Sequence, residues 1–262
     1  FWTFKQSSFI NWYSNSLIMP ISPNFSSILE ETFEVNFLQC YPNGKLKHTD
    51  LCNILQLTAA KHAEMGGISF TDMQQHHQAW VWSRSRLEIS KMPRWRDTVV
   101  VKTWIHSLEN SRSIRCLEMY LNDEKIVGCE TFWAVFNTQT RRPEALALPH
   151  DHFEKYATKA ATSDFKKIDI TLPQNNVGSK TIVLSDLDIV NHANSVKYME
   201  WCFDTLQPEQ LLKEKITEIE VNYLKEVGYN ETISIHEHKD GNTSIFSIKN
   251  DDKVSFAMEV TW

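Results

Sequence analysis

The 262-residue chain is poor in glycine and proline, with 7 and 8 residues of each. That scarcity excludes a collagen-like, low-complexity or largely disordered chain. The five cysteines, Cys40, Cys52, Cys116, Cys129 and Cys202, form no C-x-x-C pair and are odd in number. Such usage points to reduced, mostly buried thiols in a cytosol-like compartment. No apolar run is long enough for a membrane-spanning helix. Nor is positive charge in excess: 27 basic against 33 acidic residues leave a net charge of −6, which disfavours a protein built to hold a nucleic-acid backbone. Neither a G-x-S-x-G nor a P-loop pattern occurs, which removes nucleophile-elbow hydrolases and Walker-type NTPases.

What is present is ordinary for a globular protein, 42% apolar and 23% charged. The length fits one large domain or two small ones. The start, Phe1 to Leu17, is aromatic and Ser/Asn-rich and lacks the order of a secretory signal. With Met19 ahead of a Pro/Ser-rich stretch, residues 1–24 read as a tag, an upstream segment or a disordered one.

Beyond it, Phe33 to Cys40 reads as a strand, and Thr49 to Glu64 as a helix capped by Thr49 and closed by Gly66-Gly67. Four β-rich runs follow, Ala79 to Ser90, Asp97 to His106, Ser111 to Leu121 and Lys125 to Phe136, which predict an antiparallel meander. A polar connection carries a predicted helix near residues 152–160. The pattern then restarts with a strand at Lys180 to Leu184 and a helix from Asn194 to about Leu206. Four strands complete it, Ile216 to Leu224, Thr232 to His238, Thr243 to Lys249 and Lys253 to Trp262.

Overlaying the halves reveals a weak repeat. His48-Thr49-Asp50 resembles His192-Ala193-Asn194 at an offset of 144, and Trp95-Arg96-Asp97-Thr98 parallels Tyr229-Asn230-Glu231-Thr232 at an offset of 134. The expected architecture is α+β, two tandem units each wrapping an antiparallel sheet round a central helix, over residues 25–150 and 151–262.

The chemically rich stretch runs from Ser185 to Tyr198, with carboxylates, an imidazole and amides just ahead of a helix. Unpaired N–H groups and a positive dipole end there suit an oxyanion, although capping and turn formation use the same residue types. This stretch resembles the Asp-x-Asn-x-His-x-Asn-Asn-x-x-Tyr signature of acyl-[acyl carrier protein] thioesterases of plastids and bacteria. Trp80-Val81-Trp82-Ser83-Arg84, Lys91-Met92-Pro93-Arg94-Trp95-Arg96-Asp97, and Phe132 to Asn137 through Arg141-Arg142 are also similar to family segments, so the likeness covers roughly Phe33 to Trp262.

The resemblance implies a double hot dog, hydrolysis of an acyl thioester on a carrier protein during fatty-acid synthesis, no cofactor, and a bacterial cytoplasmic setting. Pairing of two copies through sheet edges is left open. It assigns catalytic roles to Asp188, His192 and Glu226, with the helix start near Asn194 supplying oxyanion donors. At the 134 offset Glu226 corresponds to Met92, so only the second half can hold the acid/base residue. Two departures stand out: the signature Asn after the Asp is Val190 here, and the Cys that plant relatives carry after the Glu is Val227. Hydrolysis of acyl-coenzyme A, and acyl binding without catalysis, are the alternatives.

The pair His76-His77 and the run His236-Glu237-His238 lack a second clustered ligand set, so no metal is expected. Cys202 is expected in the core. Between Arg84 and Arg115, eight basic residues face three acidic ones, a local +5 that marks a docking region for an acidic carrier protein. Trp80, Trp82, Met65 and Met92 are candidate liners of an acyl tunnel.

Overall fold

The computed structural model describes residues 21–262, so most of the segment set aside at the start lies outside the described residues. From Ser22 the chain belongs to the fold: Ser22 N–H donates to Met65 O at 2.8 Å, and the Phe25 ring stacks on His62.

Two runs of elements share one order. The first holds β1 (Ile28–Glu34), a 3-10 turn (Phe37–Gln39), α1 (His48–Met65), α2 (Phe70–Gln74), β2 (Gln78–Ile89), β3 (Thr98–Glu109), β4 (Arg112–Leu121) and β5 (Glu124–Asn137). The second holds β6 (Asn175–Thr181), a 3-10 turn (Leu184–Asp186), α3 (Ser195–Phe203), α4 (Pro208–Lys213), β7 (Glu218–Tyr223), β8 (Thr232–Asp240), β9 (Thr243–Asn250) and β10 (Lys253–Thr261). The ten strands form a single sheet in the order β1-β3-β4-β5-β2-β7-β10-β9-β8-β6. Read from either end inward the connectivity is the same, and the two units meet where β2 runs antiparallel to β7, from Arg84 opposite Asn222 to Glu88 opposite Glu218.

Period-2 alternation builds the strands. In β3, Val99, Val101, Thr103 and Ile105 are buried, while Val100 and Lys102 are only half-buried on the other face. The inward face packs on α1, whose Leu51, Ile54, Leu55 and Ala59 recur at helical spacing. Cys52, Cys116, Cys129 and Cys202 are buried and free, and Cys40 is half-exposed.

Several boundaries differ from the sequence expectation, each for a local reason. The first strand ends at Glu34 because the Asn36 side chain accepts from Leu38 N–H and Gln39 Oε1 accepts from Asn36 N–H, which closes a 3-10 turn instead. Helix α1 starts at His48, so Lys47 is its N-cap and Thr49 lies inside the first turn without capping. Of the paired glycines, Gly67 takes the left-handed exit (φ +69°), whereas Gly66 is needed for space: a Cβ there would sit 2.0 Å from Phe153 Cζ.

No helix forms near residues 152–160. The segment runs as an extended strap over the outer face of the sheet, and its apolar residues serve different clusters. Phe153 packs with Ile68 and Met73, and Ala160 with Trp104 and Cys116. Apart from one turn bond, Phe153 N–H to His150 O, its backbone is satisfied by other segments: Glu154 N–H donates to the Ser27 hydroxyl, Tyr156 N–H to Ile105 O and, just beyond it, Thr162 N–H to the Glu88 carboxylate.

The duplication holds, but the helix register is 147 rather than 144. The 3-10 turns, the helix starts (His48 and Ser195) and the bridges Cys40 to Leu46 and Leu187 to Ala193 all superpose at that offset. So do the bonds from Lys47 N–H to Gln39 O and from Asn194 N–H to Asp186 O. For the strands the offset of 134 stands: β3 and β8 begin at Thr98 and Thr232, and Arg96 and Asn230 share a left-handed backbone (φ +70° and +63°). Repeat partners therefore face each other across an approximate two-fold axis, Cys52 Sγ lying 3.9 Å from Met199 Sδ and the Arg86 guanidinium 3.3 Å from Glu220 Oε2.

Candidate active site

The loop from the second 3-10 turn into α3 is a closed knot of hydrogen bonds. Asp188 N–H donates to His192 O at 2.9 Å, and Asn191 N–H to Asp188 O at 3.0 Å, with Asn191 in the left-handed region (φ +62°). The Asp188 carboxylate clasps the same loop, its Oδ1 accepting from Val190 N–H at 3.0 Å and His192 N–H at 3.4 Å. Burial raises the Asp188 pKa above the ordinary carboxylate value, an effect these backbone donors oppose.

Glu226 stands in the irregular stretch after β7. One residue on, Val227 is fixed from two sides: its carbonyl accepts from Ala193 N–H at 2.9 Å, and its N–H donates to the Tyr198 hydroxyl at 3.0 Å. The Ala193 to Val227 bond brings together the residues that precede each of them, and His192 Nε2 lies 3.4 Å from Glu226 Oε2. The imidazole is 19% and the carboxylate 31% exposed, so the pair is reached by solvent without being fully solvated.

Asn194 has a different position from its partners. Its Oδ1 accepts from Val196 N–H at 2.9 Å, the N-cap bond of α3, and the next carbonyl, Ser195 O, accepts from the Tyr223 hydroxyl at 2.9 Å. The loop thus puts His192 and Glu226 in contact, gives Asp188 to the loop backbone, and gives Asn194 to the helix end. A fifth group was not assigned from the sequence: Arg141, from the turn after β5 in the first unit, places Nη2 3.5 Å from the same Glu226 Oε2.

Family models decide what this geometry belongs to. The acyl-ACP (acyl carrier protein) thioesterase N-terminal domain matches residues 27–156, and the acyl-ACP thioesterase C-terminal domain matches residues 173–262. The chain belongs to the acyl-ACP thioesterase family. It is 25% identical over 248 residues to the chloroplastic palmitoyl-acyl carrier protein thioesterase of Cuphea hookeriana, covering 86% of this chain and 59% of that one. To the chloroplastic oleoyl-acyl carrier protein thioesterase of Coriandrum sativum it is 25% identical over 225 residues, covering 75% and 59%. The chain thus spans about three fifths of the length of these curated relatives.

Among solved structures, an acyl-ACP thioesterase from Bacteroides thetaiotaomicron superposes with a TM-score of 0.78 at 23% identity, covering 90% of this chain and 97% of that one. The 12:0-ACP thioesterase from Umbellularia californica does so with 0.79 at 19%, covering 90% and 97%. The fold is the double hot dog of these thioesterases.

Within this acyl-ACP thioesterase fold the two units are chemically unequal. At the structural offsets, Asp188, His192, Asn194 and Glu226 correspond to Tyr41, Lys45, Lys47 and Met92, none of which reproduces an imidazole beside a carboxylate. Between α1 and the sheet of the first unit lies a small apolar cavity of about 10 Å³, lined by Leu55, Ala59, Leu117, Cys129, Trp82 and Trp133 among others. Trp82 stacks on Trp133 (centroids 5.3 Å apart) and also packs against Tyr223, which links the cavity to the start of α3. Of the four tunnel candidates, Trp82 lines this cavity, whereas Trp80 packs with the separate cluster around Ile68 and donates its indole N–H to Ile68 O.

The basic stretch does not form one patch. Arg86 and Arg115 are buried, the first among Glu88, Glu218 and Glu220 and the second against His62, while Lys102 pairs with Glu30. Strand alternation scatters the rest, leaving Arg94 and Arg96 exposed beside Trp95. Among the described residues no group of three or more His, Cys, Asp or Glu side chains is arranged to hold a metal, and no helix is long and apolar enough to cross a membrane.

Proposed function

We propose that the chain is a thioester hydrolase that releases free fatty acid from acyl-[acyl carrier protein] in a bacterial cytoplasm, with Glu226 and His192 at the reacting bond. The observation that carries this reading is the 3.4 Å contact between His192 Nε2 and Glu226 Oε2, half-exposed beside the start of α3. Glu226 takes a proton from a water molecule whose oxygen attacks the thioester carbonyl carbon. The carbonyl π electrons move to oxygen, the tetrahedral intermediate collapses, the C–S bond breaks, and the proton passes to the departing thiolate. His192 orients the water, Asp188 keeps the loop closed around its own carboxylate, and the α3 N-terminus capped by Asn194 lies next to the developing oxyanion. Family membership and the double hot-dog fold support the acyl thioester as substrate.

The test is thiol release from a ladder of acyl-carrier-protein and acyl-coenzyme A substrates by wild type, Glu226→Ala and His192→Ala. Loss of about 10²-fold or more in both variants, with folding intact, is the expected result. Activity confined to the coenzyme A series would replace the carrier-protein substrate. If wild type releases no thiol from any substrate, Val190 in place of the signature Asn favours a non-catalytic acyl-binding protein instead.

A further inference from the structure

We infer that Arg141 is a positioning residue of the active site, supplied by the first unit to orient the Glu226 carboxylate of the second. This rests on the reading of Glu226 as the base. The two residues are 85 positions apart, on different units, and meet at Glu226 Oε2, with Arg141 Nη2 at 3.5 Å and His192 Nε2 at 3.4 Å. The Arg141 side-chain N–H donates to Oε2 while the His192 imidazole abuts the same oxygen, so the guanidinium holds the carboxylate in place and leaves Oε1 outside these two contacts.

The turn that presents Arg141 is built to hold it in an unfavourable backbone. Arg141 sits at φ +61°, a region that a residue with a long side chain occupies only when its surroundings impose it. Asn137 Oδ1 accepts from Gln139 N–H at 2.9 Å and Thr140 N–H at 2.8 Å. Arg141 N–H donates to Asn137 O at 2.9 Å, Asn137 N–H to Arg142 O at 2.9 Å, and Thr138 N–H to His77 O at 2.7 Å. The Asn137 side-chain amide reaches Glu144 Oε1 at 3.2 Å.

A turn bonded on both sides of the residue aims one side chain and leaves its neighbour outside: Arg142 is exposed, whereas Arg141 is half-buried with 26% of its side chain exposed. A partly buried ion pair is screened less than a surface one, and a planar guanidinium fixes orientation as a flexible ammonium does not. No residue of the second unit alone supplies this contact, so the site is completed by both units although its acid/base chemistry sits in one.

The experiment compares wild type, Arg141→Ala, Arg141→Lys, Arg141→Gln and Arg142→Ala in thiol release, with urea unfolding to check each fold. Arg141→Ala is expected to lower kcat by about 10-fold or more with KM changed less than about two-fold, because the contact is to the base and not to the substrate. Arg141→Lys restores part of the loss, millimolar guanidinium ion restores part of it in Arg141→Ala, and Arg142→Ala is unchanged. In the Glu226→Gln background, Arg141→Ala has little further effect.

An unchanged kcat in Arg141→Ala overturns the inference while the hydrolase reading stands. So does a loss confined to KM, or one that neither lysine nor guanidinium repairs. If Arg141→Ala fails to fold, Arg141→Gln and Arg141→Lys carry the same comparison. A wild type that releases no thiol overturns the hydrolase reading and this role together.

Discussion

Replacing Arg86 by methionine tests the seam on which the two units meet. The guanidinium is 6% exposed and faces three carboxylates, Glu220 Oε2 at 3.3 Å, Glu218 Oε2 at 3.0 Å and Glu88 Oε1 at 3.2 Å. Glu218 is 43% exposed, so its share is small, whereas Glu220 is 2% exposed and depends on this partner. With a protein dielectric of about 20, two charges at the Arg86 to Glu220 distance attract by about 5 kcal/mol. Removing one member strands the other, which typically costs about 3–5 kcal/mol, a large fraction of the roughly 5–15 kcal/mol that stabilises a domain.

Urea unfolding at pH 7 should therefore show Arg86→Met destabilised by about 3 kcal/mol or more. Adding Glu220→Gln, which keeps an acceptor for the Lys166 N–H that Glu220 Oε1 now holds at 3.1 Å, should return part of the loss, by about 1 kcal/mol or more. The pH dependence has a definite sign. Burial already raises the Glu220 pKa, opposed by Lys166 N–H and Arg86, and without Arg86 it rises further. A raised carboxyl favours the folded state below its unfolded pKa and loses that contribution as pH rises through the folded one. The deficit of Arg86→Met should thus shrink as pH falls. A loss below about 1 kcal/mol, or a double variant equal to the sum of the singles, would refute the reasoning.

Asp188→Asn should stabilise the fold at pH 7, on the order of 0.5 kcal/mol or more, while lowering activity, because the amide oxygen can still accept from Val190 and His192 without a buried charge. Since burial raises the Asp188 pKa, the gain should fade as pH falls through that raised value and be gone once pH reaches the unfolded carboxylate value of about 4; unfolding curves at pH 7 and at about pH 4 check this, and a gain only at low pH contradicts it. Gly128→Ala places a Cβ 2.1 Å from Ala160 O, a backbone atom of the strap that cannot step aside cheaply, so about 2 kcal/mol or more should be lost, with faster proteolysis in the strap. An unchanged melting temperature would mean that the strap yields without cost.

Periodicity made the meanders and both long helices legible, because each has one apolar face and local end signals. What it could not reach were contacts decided far along the chain. The segment near residues 152–160 has a helical spacing of apolar residues, yet Phe153 and Ala160 answer to different clusters and the backbone bonds to the sheet. The repeat overlay took the matching His and Asp or Asn residues as its guide and missed the register by three, since backbone bonds, and not residue likeness, fix the 147 offset. His192 and Glu226 came from a family likeness, and their contact follows from the Ala193 to Val227 bond. Arg141 lay within a segment similar to the family, but no local pattern tells that its turn reaches the other unit.

The strap from the end of β5 at Asn137 to the start of β6 at Asn175 has a consequence for how strong the seam must be. A covalent tether holds the second unit at a high effective concentration beside the first, of millimolar order for a short linker. Two separate units would have to find each other at whatever concentration the cell maintained, and their pairing would have to be tight. Tethered units need only outcompete local detachment, which lightens the demand on the five β2–β7 residue pairs and on the core the two units share. Cleaving the strap would convert that intramolecular equilibrium into a dilution-sensitive one, and the thiol release proposed for Glu226 with Arg141 should then fall as the solution is diluted.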